Sequence, residues 1–391
     1  MSIDIQRART DTPGCHHVLH FNNAGASLMP QTVIDAYTEH IALEAQIGGY
    51  EAADAVRDRH DAVYASLARL LGAHVDEIAL TDSATRAWNM AFYGLDLKPG
   101  DRILTTQVSY AADFIAFLHR RKTSGVQVKV IPSDDQGAVD LTALDKAARE
   151  GAALIALTHV PTNGGLVQPA EEVGQIARGA GIPYLLDACQ TAGQLPLSVA
   201  RLQCDMLSAT GRKYLRGPRG TGFLYVRREF LDRLQMPTPD LHSARWVDRD
   251  SYEIRDDAKR FELWESNLAG ELGLGAAVDY ALRIGIQPIR DRVRTLAETL
   301  RVRLAEISAV RVRDLGRVKC GIVTFTHDDL DARTIRDRLR EDRINVSISD
   351  PESTLLDATR RGLPPMVRAS VHYYNTDEEI ERFCEALHRI S

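Results

Sequence analysis

Lysine is scarce in this chain: 7 of the 48 basic residues are lysines and the other 41 are arginines. Chemistry that demands an amine therefore has few places to sit. The five cysteines, Cys15, Cys189, Cys204, Cys320 and Cys384, are scattered with no CxxC pair. That spacing excludes a disulfide framework and a zinc signature, so no metal is expected, and it fits a reducing cytoplasmic compartment. No stretch approaches the roughly 20 apolar residues that cross a bilayer, and the opening MSIDIQRART lacks the apolar core of a secretion signal. Like charges are nowhere gathered into blocks, and the net charge is -6; neither a nucleic-acid partner nor a membrane surface is expected. With 44% hydrophobic residues over 391 positions, the chain can bury a large core, either as two or three domains or as one large α/β layer with an appendage.

From about residue 75 to 225, short apolar runs alternate with helical patterns: DEIALT, DRILTT, VQVKVIP, AALIALTHV, IPYLLDAC, CDMLSAT and TGFLYV. This alternation predicts a mainly parallel sheet with helices on both faces. Helices are predicted over 87–93, 113–122, 141–149 and 169–180. Two long helical segments follow over 268–308, with a break at 285–288. After it, strands VKCGIVTFT, INVSIS and MVRASVHYY alternate with helical segments, and Thr376 with Glu379 forms a capping box before the last helix. The expected organisation is an N-terminal segment 1–30, a large domain 31–285 and a smaller C-terminal α+β domain 286–391.

In open parallel sheets ligands sit beyond the carboxyl ends of the strands. IALT runs into TDSAT, which places small residues and free amides at a helix start; this suits phosphate, or Ser83 or Thr85 simply caps the helix. IPYLL ends in Asp187, with Gln190 three residues on; alone, such an acid could bind a cofactor, a metal or a ribose, or cap a loop. Cys189 between them has no sequence neighbour to activate it and reads as packing filler. The densest signal is CDMLSATGRKYLRGPRGTGFLYV, where Lys213 follows an apolar strand and precedes glycine-rich turns. The GPRGTG string is not a nucleotide P-loop, since no GK[ST] follows and a strand comes next.

Asp187 with Gln190, followed by Lys213 and GPRGTG, resembles the signature of the class V aminotransferase family of pyridoxal phosphate (PLP) enzymes. This fold type I family includes cysteine desulfurases, isopenicillin N epimerase-like proteins, kynureninase and the carbon–sulfur lyase of ergothioneine synthesis. The similarity runs from LHFNNAGAS to VRASVHYYNTDEEI, nearly the whole chain. It implies an α/β fold with a mainly parallel seven-stranded sheet and a smaller C-terminal domain. It implies pyridoxal 5'-phosphate as cofactor, Lys213 as its Schiff-base lysine and Asp187 as the acid at the pyridine nitrogen. Gln190 would touch the ring hydroxyl, and Tyr110 would stack on the ring. Ser83, Ala84, Thr85, Thr210 and Arg212 would hold the phosphate, with Arg212 standing where most relatives have histidine. His159, Thr162 and Asn163 match a loop near the ring, and the usual asparagine there aligns with Thr162. Ser266 matches a region that reaches the partner subunit's phosphate, which implies a homodimer with shared sites. Arg368 resembles the arginine that grips the substrate α-carboxylate, with Asn23 and Ala24, in the segment 22–25, close to the same group.

One departure matters. Desulfurases of this family carry a nucleophilic cysteine on a loop before the carboxylate arginine, and here that loop, ISDPESTLLDATRRGLPPM, has none. The resemblance then implies an amino-acid substrate joined as an external aldimine and deprotonated at Cα, with carbon–sulfur β-elimination from an S-substituted cysteine or its sulfoxide favoured. The segment EAQIGGYEAADAV also resembles the ergothioneine-type lyase branch. The alternative is an epimerase or aminotransferase on a specialised amino acid; a binding protein without turnover is disfavoured by the joint presence of Lys213, Asp187 and Arg368.

Overall fold

The structure, a computed structural model, describes residues 3–390. Seven strands form the main sheet: β1 (Ile78–Thr81), β2 (Arg102–Thr106), β3 (Gln127–Ile131), β4 (Leu154–Thr158), β5 (Tyr184–Asp187), β6 (Met206–Thr210) and β7 (Gly222–Val226). Their order across the sheet is β1-β7-β6-β5-β4-β2-β3. Strands β2 to β6 run parallel, and β7 alone runs antiparallel to both of its neighbours. Every residue of β1, β4, β5, β6 and β7 is buried, because helices cover both faces of the sheet; hence the unbroken apolar runs in the sequence. Successive side chains point to opposite faces. Leu157, Leu186 and Leu207 join the core of one face with helix Arg57–Leu71, while Ala156, Leu185 and Met206 meet Trp88, Phe92 and Phe117 on the other.

The predicted helices are present, with ends moved by their caps. The one expected over 87–93 spans Ala84–Gly94, because the Ser83 hydroxyl accepts the Arg86 amide at 3.2 Å. The one expected over 113–122 spans Ala111–Ser124. The break expected at 285–288 is Gly285 alone, at φ 95°, between helices Leu268–Ile284 and Ile286–Ala305. Pro288 sits in the first turn of the second helix, where a missing N–H costs nothing.

A second, antiparallel sheet is built from β8 (Val310–Val312), β9 (Ile322–His327), β10 (Ser347–Ser349) and β11 (Met366–Ser370), in the order β8-β9-β11-β10. Helices Ile286–Ala305, Ala332–Glu341 and Asp377–Ile390 pack on it. The capping box of the last helix is formed: the Glu379 amide donates to Thr376 Oγ1 at 3.2 Å, and the Thr376 amide to Glu379 Oε2 at 3.4 Å. The run INVSIS divides, with Ile344–Asn345 pairing in parallel with Leu19–His20 near the N-terminus and only Ser347–Ser349 joining the sheet.

Arg216 knits these parts together. It is 1% exposed and adopts a φ of 65° in the turn that its amide closes onto the Lys213 carbonyl at 2.9 Å. Its guanidinium donates to the Leu28 carbonyl and to the Thr12 and Tyr373 hydroxyls, and it lies over the rings of Tyr373, Tyr374 and Tyr280. Hydrogen bonds and aromatic faces stand in for the carboxylate that a buried cation normally needs.

Candidate active site

The carboxyl ends of the parallel strands converge on one cleft. Asp187 ends β5, is buried, and accepts the Cys189 amide on Oδ1 at 2.8 Å. Beside it in the sheet register stands Thr158, the last residue of β4. The next residue, His159, donates its amide to the Asp187 carbonyl at 3.0 Å; burial pushes its imidazole down to about 4, so the ring is neutral. Lys213 lies three residues beyond the end of β6. Burial pushes its amine below the ordinary lysine value, Cys189 and Asp187 draw it back up, and Arg212 and Arg368 lower it further. Those influences place all four groups around one amine. Tyr110, the N-cap of helix Ala111–Ser124, remains 39% exposed in the cleft. Burial raises its phenol, as do Cys189, Asp187 and Asp113.

The phosphate end is a helix start. Ser83 caps helix Ala84–Gly94, and the first amides of a helix have no acceptor within it, which makes them an anion site. Gly222 of β7 lies behind this turn: a Cβ there would stand 2.7 Å from the Ser83 carbonyl carbon and 2.9 Å from the Ala84 nitrogen. Gly222→Ala is therefore expected to destabilise the fold by about 1–3 kcal/mol through overpacking and to weaken cofactor binding, measured by denaturant unfolding and by cofactor titration. The Thr210 hydroxyl donates to the Thr221 carbonyl at 3.2 Å. Arg212 directs its guanidinium to the Gly25 carbonyl, on the N-terminal segment. Ser266 is exposed and lines a groove of about 790 Å³ together with Asp82, Arg86 and Gly220, beside the same helix start.

At the other end, Arg368 of β11 is buried and donates through Nη1 to the Thr162 hydroxyl. Its Nε is buried without a partner. Of the two neighbours, Thr162 thus meets the arginine, whereas the Asn163 amide donates to Asp357 at 3.0 Å and holds down helix Leu355–Arg361. Asn23 is also engaged elsewhere: its amide donates to the Ser370 carbonyl at 2.7 Å and its oxygen accepts the Tyr374 hydroxyl. Ala24 contributes its backbone, with the amide to Ser370 Oγ at 2.9 Å and the carbonyl accepting Gln190 Nε2 at 3.1 Å. In this segment it is Asn22 whose Oδ1 is buried without a partner.

The site fits pyridoxal phosphate. A buried carboxylate, Asp187, can face a protonated ring nitrogen, and the unpartnered Gln190 Oε1 and His159 Nδ1 mark polar groups that await a ligand. The thiols behave differently. Burial is the largest influence on all five and raises each: Cys15 and Cys320 to about 11, Cys384 to about 12, Cys204 higher and Cys189 well above the usual value. The loop expected to bear a nucleophile in desulfurases is instead a short 3-10 turn, Pro351–Thr354, followed by helix Leu355–Arg361.

This sheet order and lysine–acid–arginine arrangement define a fold type I PLP enzyme. A family profile, aminotransferase class-V, matches residues 19–383, and the chain belongs to that family. It is 30% identical over 389 residues to a probable cysteine desulfurase of Pyrococcus abyssi, covering 98% of this chain and 96% of the relative. Another probable cysteine desulfurase, from Xylella fastidiosa, is 31% identical, covering 100% and 96%. Among solved structures, the apo cysteine desulfurase of Thermococcus onnurineus superposes with a TM-score of 0.93 at 29% identity, covering 100% of this chain and 98% of that one. The cystine C-S lyase C-DES, in complex with its product cysteine persulfide, shares the fold with a TM-score of 0.86 at 24% identity, covering 96% and 99%. The protein is therefore a PLP-dependent class V enzyme related to cysteine desulfurases. No helix among the described residues is long and apolar enough to cross a membrane.

Proposed function

We propose that the enzyme cleaves the Cβ–S bond of an S-substituted cysteine or cysteine sulfoxide, releasing the sulfur fragment as a thiol or sulfenic acid and aminoacrylate, which water hydrolyses to pyruvate and ammonia. The observation that carries this reading is that no cysteine stands on the 349–366 loop; burial of the five thiols, which raises each of them, supports it. Sulfur transfer to an enzyme persulfide needs a thiolate; elimination of a substrate whose substituted sulfur can itself leave from Cβ does not. Bound PLP supplies the electron sink for the pair left at Cα.

The chain's own residues do the rest. Arg368 grips the substrate carboxylate in a charge-assisted pair, and its tie to Thr162 sets the angle of the guanidinium. The lowered Lys213 amine takes the Cα proton as general base. With PLP bound, Asp187 would keep a proton on the ring nitrogen, Gln190 would lie at the ring hydroxyl and Tyr110 would stack on the ring. The helix start at Ser83, Ala84 and Thr85 would hold the phosphate with help from Thr210, whereas the Arg212 guanidinium, expected at the phosphate, is turned to the Gly25 carbonyl. The same reading makes the enzyme a homodimer: Tyr50 and Trp264, 75% and 57% exposed, line the groove that holds Ser266, and a second copy would cover these apolar side chains.

The test is a panel of S-alkyl cysteines and their sulfoxides assayed for pyruvate, with free cysteine assayed for sulfide in the presence of a thiol acceptor. Pyruvate from S-substituted substrates is the expected result. Cα hydrogen exchange in deuterated water without pyruvate would instead establish epimerase or aminotransferase chemistry, and preferential persulfide transfer from free cysteine would defeat the proposal.

A further inference from the structure

A second buried carboxyl lies beside Asp187. Asp113, 5% exposed, occupies the third position of helix Ala111–Ser124, with Tyr110 as N-cap. An acid at this position ordinarily turns back to the N-cap amide. Here the Tyr110 amide donates instead to Thr158 Oγ1 at 3.0 Å, and the Thr158 hydroxyl donates onward to Asp113 Oδ2 at 3.4 Å. Thr158 is the register partner of Asp187. One hydroxyl thus joins three things: the backbone of the aromatic residue in the cleft, the second carboxyl, and the strand end next to the first.

We propose that Asp113 is a positioning residue of the cofactor site: acting as a neutral acid through the Thr158 hydroxyl, it fixes the Tyr110 platform and leaves Asp187 as the anion beneath the ring. Two adjacent buried carboxylates cannot both stay ionised. Burial, reinforced by Asp187, pushes Asp113 well above the ordinary carboxylate value, against weaker opposing pulls from Thr158 and Lys213. Burial raises Asp187 as well, but less than Asp113, because the Cys189 amide and Lys213 favour its ionised form; of the pair, Asp187 has the better claim to the charge. The other groups that feel this pair are the Tyr110 phenol and the Cys189 thiol, both uncharged at neutral pH. The sheet thereby presents one negative charge to the cofactor from two acids.

The experiment uses the holoenzyme and needs no turnover, so its outcome is independent of which bond the enzyme breaks. Asp113→Ala, Asp113→Asn and Thr158→Val are compared by the dissociation constant of PLP and by the visible circular dichroism of the bound cofactor, which reports the orientation of the ring. Asp113→Ala is expected to weaken cofactor binding by about tenfold, the effect of one lost buried hydrogen-bonded contact, and to diminish the dichroic band. Asp113→Asn keeps the acceptor, the volume and the neutrality, and is expected to restore both to near wild type. Should Asp113→Ala leave affinity and dichroism unchanged, or should Asp113→Asn be as impaired as the alanine variant, the proposal is overturned. If the alanine variant does not fold, Thr158→Val carries the test: it breaks the same link at constant volume, and a wild-type affinity and spectrum would overturn the proposal equally.

Discussion

Lys213→Ala leaves a folded protein that binds PLP without a covalent bond and turns over at most about one ten-thousandth as fast as the parent, since one residue is both covalent anchor and general base. Two measurements check this. Borohydride bleaches the yellow band of the parent and leaves the reduced cofactor covalently attached to the protein, while in the variant the cofactor dialyses away after the same treatment. The lowered amine also sets the sign of the pH profile: the free base is the active form, so the rate rises as pH increases and levels off below the pH at which an ordinary lysine loses its proton. A parent profile that kept rising through the normal lysine range would show that the surroundings of Lys213 do not lower it. Turnover within tenfold of the parent would remove Lys213 from the chemistry altogether.

Arg368→Gln is expected to cost about 10²- to 10³-fold in kcat/KM, the worth of a paired charge-assisted contact to a carboxylate. Most of the loss should fall on KM, because the contact is made before and during the reaction alike. A substrate analogue without its carboxylate separates binding from folding. The native enzyme should discriminate against the analogue by the same factor, and the variant should hardly discriminate at all. Equal discrimination by both proteins would place the carboxylate elsewhere. The small-domain strand β11 is a sound mount for such a group: Arg368 sits between β9 and β10 in register with Thr324 and Ser347, so its backbone has no freedom to wander.

What could be seen in the sequence follows from where the chemistry sits. Lys213 and Asp187 stand where buried strands give way to turns, and with seven lysines in the chain an amine at such a place is conspicuous. The core strands were legible for the same reason, since full burial on both faces leaves uninterrupted apolar runs. Asp113 was not legible. An acid in the first turn of a helix is the commonest of placements, and only the three-dimensional neighbourhood shows that its amide partner is already taken. Asn23 and Asn163 are placed near the site by the family resemblance, but a sequence does not show that Ser370, Tyr374 and Asp357 already engage them. The hairpin Ala244–Asp248 with Ser251–Ile254 carries no strand signal in the sequence. Its aromatic residues point outward, with Trp246 at 75% exposure, so they carry no inward-facing alternation to mark a strand. Arg216, one of 41 arginines, gave no sign of being the deepest of them.

That arginine has a consequence for how the enzyme can be cut or rebuilt. The turn bearing Lys213 is held by a guanidinium whose partners are Thr12, Leu28, Tyr280, Tyr373 and Tyr374, all but Tyr280 drawn from the two extremities of the polypeptide. Neither extremity is a dispensable tail. A fragment carrying the sheet alone would expose a stranded cation next to its reactive amine, so circular permutation, terminal fusion or domain grafting in this enzyme must keep both ends of the chain seated on the same side of the lysine loop.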